Sequence, residues 1–281
     1  YLKESVSRAR SILLTEELVT DAQKSFRWRI ASDGLKDLIL QYTAGRPIEE
    51  LREALPQVIR DFDTYIQNEI SPRSETPPRA VADTLEITQL EAYVYVFWLL
   101  ALCKLSRHAE FIPKVMEWVN RTREFNRGRD ILFENVVQAL TGFHIESERV
   151  ALHVAVYRSL ARATLYAPEE RPALVKEFVE NWYKRMKSCY WHGMHTGNGF
   201  GYFGYWCFEA ALVTVLFDID DTSYRDHLVY PKDLVNWYRA NSDTGTDGGP
   251  PEPKQMLRAM PAQPCPRSGD WFSHFLNTTD S

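Results

Sequence analysis

The chain has 281 residues, of which 44% are apolar, 25% charged and 13% aromatic, with eight Trp. That is an ordinary globular composition, long enough for one large domain or two small ones. A formal charge of −5 argues against the basic stripe of a nucleic-acid binder and leaves room for a basic protein partner.

The four Cys, at 103, 189, 207 and 265, show no CxxC spacing, so neither a disulfide framework nor a zinc ribbon is indicated. Reduced thiols and a start without an apolar stretch predict a cytoplasmic protein. The longest apolar run, Tyr93 to Cys103, is far short of the roughly 20 residues that span a bilayer, so no membrane is expected.

In chain order, Thr15 reads as an N-cap before Glu16 and Glu17, with Leu18, Ala22, Phe26 and Ile30 at helical spacing up to Gly45 and Pro47. A second helix is expected over about 48–70, bent or started late by Pro56. The segment SPRSETPPR (71–79) reads as a loop. A third helix, over about 84–105, is apolar on nearly every side and should be central. A fourth, over about 108–125, is interrupted near Pro113. The polar stretch Asn126 to Gly128 is the expected domain boundary. Further helices are expected near 129–141, 147–166, 170–189 and 205–217, then a short one from about Pro231. A Pro- and Gly-rich tail follows Ala240, with Trp271, Phe272 and Phe275 as docking anchors. Strand alternation is almost absent. The expectation is an all-α protein of two helical subdomains of antiparallel helices, 1–126 and 127–240, with an irregular tail over 241–281.

Three patterns resemble chemistry. LVTVLFDIDDT (212–222) reproduces the DxDxT of aspartate-based phosphotransferases at Asp218, Asp220 and Thr222. That chemistry needs Asp218 at the end of a parallel strand, with a Rossmann-like domain after it, and neither is readable. Gly199, Gly201 and Gly204 spell GxGxxG without the preceding Val/Ile-rich strand that a dinucleotide fold requires. The simpler reading is a loop whose glycines admit close packing. Cys189, His192 and His195 have ligand-like spacing, with His153 or Asp226 as a fourth group, but Gly193 interrupts the helix that would align them. The expectation is therefore no catalytic constellation, no metal and no cofactor. Unpaired charge is rarely buried, so the aspartates after residue 217 and Glu209 should be paired or hydrogen-bonded. Asp218 would then close a helix end, Asp221 or Thr222 would cap the next turn, and Arg225 or Arg239 would pair with one of these carboxylates.

The segment from Gly201 to Arg239 carries successive landmarks: Tyr205-Trp206, Phe208-Glu209-Ala210-Ala211, Asp218-Ile219-Asp220-Asp221, Ser223-Tyr224-Arg225-Asp226 and Tyr230-Pro231-Lys232-Asp233. In this it resembles the C-terminal region of the two-part helical immunity proteins of bacterial polymorphic-toxin systems. Their partners include DNases of the PD-(D/E)xK type, delivered by contact-dependent machinery such as type VI secretion. The resemblance implies a non-enzymatic protein that binds a cognate toxin, a nuclease domain, and blocks its active or DNA-binding cleft. It makes Tyr205, Trp206, Glu209, Asp218, Arg225, Tyr230, Pro231, Lys232 and Asp233 structural motif residues. From Trp206 to Asp233, six acidic residues stand against Arg225 and Lys232, a local net of −4. Asp220, Asp221 and Asp226, with Tyr224 or Trp191 as aromatic anchor, are the expected toxin contacts. Nucleic acid is not an expected partner, and a homo-oligomer is compatible. The alternatives are a helical enzyme, either a phosphotransferase or a metal-dependent hydrolase, and a general helical scaffold for proteins.

Overall fold

The computed structural model describes residues 2–15, 20–68, 85–121, 123–147, 151–196 and 201–241. All regular structure among them is helical. In the N-terminal part, α1 (Leu2–Thr15), α2 (Thr20–Thr43) and α3 (Ile48–Asn68) pack in sequence, and α4 (Leu90–Leu105) follows. A 3₁₀ turn, Ala109–Phe111, then leads into α5 (Ile112–Asn120) and the short α6 (Arg123–Asn126). The C-terminal part holds α7 (Ile131–Thr141), α8 (Val154–Ala163), α9 (Arg171–Arg185), α10 (Phe208–Leu216) and α11 (Lys232–Ala240).

The centre follows from composition. In α4 every residue except Leu90, Glu91 and Lys104 is buried, and in α10 every residue except Val215. A helix apolar all round must be covered all round. α10 lies against α4 and also touches α7, α9 and α11, so a single apolar core runs through both helical parts. Each fully buried Leu, Val or Phe there contributes roughly 1.5–3 kcal/mol.

Helix ends are where local chemistry decided. Asp130 caps α7 by accepting the Phe133 N–H at 2.7 Å, and Gly142 closes it at φ 75°. Pro113 and Pro172 sit in the first turns of α5 and α9, where a missing N–H costs nothing. Pro56 does not end α3. It leaves the Arg52 carbonyl without its helical donor, and the His108 Nε2, at 2.9 Å, takes that place.

Several expected boundaries move. Thr15 is the last residue of α1 and not the cap of the next helix. Among the described side chains of α1, Leu2, Ser5 and Ala9 are buried, and the Ser5 hydroxyl bonds Asp33 at 2.7 Å. The central helix begins at Leu90, because Leu85 adopts a positive φ of 50° ahead of it. α9 stops at Arg185, and turns follow through 196.

At the expected boundary the polar groups are held by the fold, with Asn126 and Asp130 buried and residues 127–129 half-buried. Asn126 is fully buried: its Oδ1 accepts the Ile87 N–H, and its Nδ2 donates to the Leu85 and Val119 carbonyls. Glu134, also fully buried, receives Arg127 at 2.9 Å and the Gly128 N–H at 2.8 Å. Leu18, the 71–79 loop, Gly199 and the tail aromatics Trp271, Phe272 and Phe275 lie outside the described residues. Among the described residues, no helix is long and apolar enough to cross a membrane.

Candidate functional site

The motif segment begins with a close approach. Gly204 has φ 111°, and a Cβ placed on it would fall 2.0 Å from the Thr43 Oγ1. That hydroxyl lies 2.8 Å from the Phe203 carbonyl and accepts the Trp206 indole N–H at 2.8 Å. Trp206 meets Tyr42 edge-on, with centroids 4.8 Å apart. The glycine of the dinucleotide-like pattern therefore lets the chain touch α2, as the packing reading expected.

From there α10 carries Glu209 into the interior. Its Oε1 accepts the Tyr157 hydroxyl at 2.7 Å and the Trp182 indole at 3.3 Å, while Oε2 has no partner among the described residues. Burial pushes the carboxyl up to about 7, against the pull of its own backbone N–H and the Tyr157 and Trp182 donors.

The apolar run before Asp218 is α10 and not a strand, so the aspartates lack the geometry of a phosphotransferase. Asp218 turns the chain at φ 47°, a conformation that Asp tolerates better than most residues. Its carboxylate is exposed and has no partner among the described residues, so the expected pairing fails and solvent balances the charge. Asp220 is exposed and accepts the hydroxyl and the N–H of Thr222, which hold its carboxyl below the usual range.

Asp221 goes inward. It is 2% exposed and receives Arg239 at 3.0 Å, Arg225 at 3.6 Å and the Tyr230 hydroxyl at 3.2 Å. Tyr224 is also buried, sharing a 2.8 Å hydrogen bond with the Thr214 hydroxyl and standing edge-on to Tyr230. Trp191 is buried against Trp98 and Trp182. Three of the five expected contact residues, Asp221, Tyr224 and Trp191, are thus interior groups already spent on the fold. Asp220 and Asp226 remain at the surface. Asp226 pairs with Lys232 at 2.9 Å, Arg225 donates to Asn236 at 2.8 Å, Pro231 is buried and Asp233 is exposed.

The ligand-like trio is dispersed among other partners. Cys189 is buried beside Met186, with its thiol pushed up to about 12 by desolvation. His192 stacks on Tyr183 at 4.3 Å, and the His195 Nδ1 lies 3.0 Å from the Tyr205 hydroxyl. His153 places its Nε2 2.8 Å from the Ile87 carbonyl. Among the described residues, no group of three His, Cys, Asp or Glu side chains is placed to hold a metal ion.

The carboxylate that Arg225 and Arg239 were expected to pair with is Asp221, 18 positions from Arg239. One feature escaped the sequence reading. Leu228 is 87% exposed between Asp226 and Lys232, where only its apolar character inside a polar loop gave a signal.

Comparison with known families completes the picture. The description "PoNe immunity protein (PoNi), N-terminal" matches residues 7–117, and "PoNe immunity proteins (PoNi), C-terminal" matches 128–234. No curated protein and no solved structure matches the chain. The two matches cover most of the chain and meet around the polar stretch at 126–130, and this two-part helical chain belongs to the PoNi family, immunity proteins against PoNe nuclease toxins and not enzymes.

Proposed function

We propose that the chain binds the nuclease domain of its cognate PoNe toxin in the cytoplasm and covers the cleft that takes DNA. The observation that carries this reading is the outer face of the motif segment. Asp218, Asp220, Asp226 and Asp233 all stand exposed on a stretch whose interior is tied down by Asp221, Tyr224 and Tyr230. A nuclease cleft must be basic to hold a phosphate backbone, so a segment that exposes four carboxylates against one lysine, Lys232, complements it and steers association. Within this proposal Asp220 and Asp226 are toxin contacts, the toxin is a DNase reaching the cell by a type VI route, and the parts 1–126 and 127–240 act as one body. The chain engages no nucleic acid itself.

The experiment is a titration of the purified PoNe nuclease domain with this chain, read by plasmid cleavage and by DNA binding. The expected result is loss of both cleavage and DNA binding at equimolar ratio. A complex that still binds DNA but does not cut it would overturn occlusion in favour of distortion of the active site. Failure to bind at all would overturn the proposal as a whole.

A further inference from the structure

We infer that Leu228, at the corner of the turn His227–Tyr230, is the apolar anchor by which this chain docks onto a basic protein surface. The inference rests on the toxin-binding reading above and names the side chain that would fill a pocket on that partner.

The turn is built from its backbone. The Tyr230 N–H reaches the His227 carbonyl at 2.9 Å, which makes Leu228 and Val229 its two central residues. Central turn positions usually carry Gly, Pro, Asn, Asp or Ser. Here both are branched aliphatics with opposite fates. Val229 is tucked in and its carbonyl accepts the Cys207 N–H at 2.8 Å, whereas Leu228 stands 87% exposed. The turn is held from both sides, by the His227 N–H on the Tyr224 carbonyl (3.0 Å) and by the Lys232 N–H on the Tyr230 carbonyl (2.9 Å). Outside it, the Asp226–Lys232 ion pair spans the base of the loop. Leu228 therefore cannot fold back into the core without breaking these ties.

A single exposed leucine is by itself unremarkable. On a fixed corner it is different, because little conformational entropy remains to be lost when a partner covers it. The surroundings choose the partner. Asp218, Asp220, Asp226 and Asp233 are exposed in the same segment against one exposed lysine, Lys232, which pairs with Asp226, while Arg225 is turned onto Asn236 and Asp221. An apolar tip on a segment of net negative surface charge fits a pocket rimmed by Lys or Arg. The other highly exposed hydrophobic, Phe143, has a different setting. Its loop lies against Gly128, where the Glu146 carbonyl and Ile145 would meet an added Cβ at 3.3 and 3.4 Å, and Glu146 is the one acidic residue within three positions of Phe143.

The test uses the full chain and the PoNe nuclease domain, with Leu228→Ala, Leu228→Asp and Phe143→Asp compared by calorimetric titration and thermal melting. Leu228→Ala should weaken binding roughly 10- to 100-fold, the equivalent of burying one leucine side chain. Leu228→Asp should weaken it further, and both should leave Tm and the wild-type oligomeric state unchanged. Unchanged affinity for Leu228→Asp, where the wild-type chain binds, would overturn the inference and leave the toxin-binding reading intact. So would a loss confined to Phe143→Asp, a lowered Tm in the Leu228 variants, or a dimer that Leu228→Asp dissociates without toxin. No binding by the wild-type chain would remove the parent reading as well.

Discussion

The Arg239 guanidinium, at the end of α11, lies 3.0 Å from the buried carboxylate of Asp221, and the Tyr230 hydroxyl approaches the second oxygen of that carboxylate at 3.2 Å. This links α11 to the loop that leaves α10, and it explains how one aspartate of an acidic run is drawn inside. Asp221→Ala should strip Arg239 and Tyr230 of their shared acceptor. Arg239 is partly exposed, so the cost falls below that of a fully buried pair, at roughly 2–4 kcal/mol. Urea unfolding would show it, and a variant as stable as the wild type would refute the role.

Glu209 makes stability fall as pH rises. Its ordinary value of 4.5 goes up to about 7 on folding, so between those values the unfolded chain gives up a proton that the native one keeps. Stability is fully present below about 4.5 and is lost as pH rises through about 7, by roughly 3–4 kcal/mol at about 1.4 kcal/mol per unit. Glu209→Gln, which stays neutral, should remove most of this slope and exceed the wild type at pH 8. Parallel denaturation curves for both proteins at pH 5 and pH 8 would decide the matter. An identical slope in the variant would locate the titrating group elsewhere.

Gly204→Ala meets two obstacles, a clash with the Thr43 hydroxyl at 2.0 Å and a backbone at φ 111°. A loss of roughly 2–4 kcal/mol is expected from the strained conformation and the displaced Thr43–Trp206 contact. Thermal melting would reveal it, and an unchanged Tm would mean that α2 can move away freely.

Asp220→Asn and Asp226→Asn probe the outer face. Neither carboxylate supports the core, so both variants should melt like the wild type. Under the proposed function they should slow association with the toxin several-fold at low salt and much less at high salt, with dissociation little changed. Stopped-flow binding at two ionic strengths would measure this. Equal rates for variants and wild type would move the interface away from this segment.

What the sequence alone determined is the part of the protein ruled by local pattern. The apolar runs read as helices over about 84–105 and 205–217 are covered helices, starting later at Leu90 and Phe208, the spacing of Leu51, Leu55, Val58 and Phe62 marked one face of α3, and the landmarks from Tyr205 to Asp233 pointed to an immunity protein. The tertiary structure decided which polar groups face water. Asp220 and Asp221 are neighbours in sequence, yet only the second is buried and directly paired with Arg239. Asp218 was expected to be paired and is exposed without a side-chain partner among the described residues; the nearby Arg171 is turned onto the Phe217 carbonyl instead. Trp191 and Tyr224 look like exposed anchors in a polar loop until Trp182 and Thr214 cover them. A side chain's burial depends on partners brought close by packing, often from dozens of residues away, as Tyr157 is brought to Glu209. Helical periodicity extends only a few residues along the chain, so it carries no information about such partners.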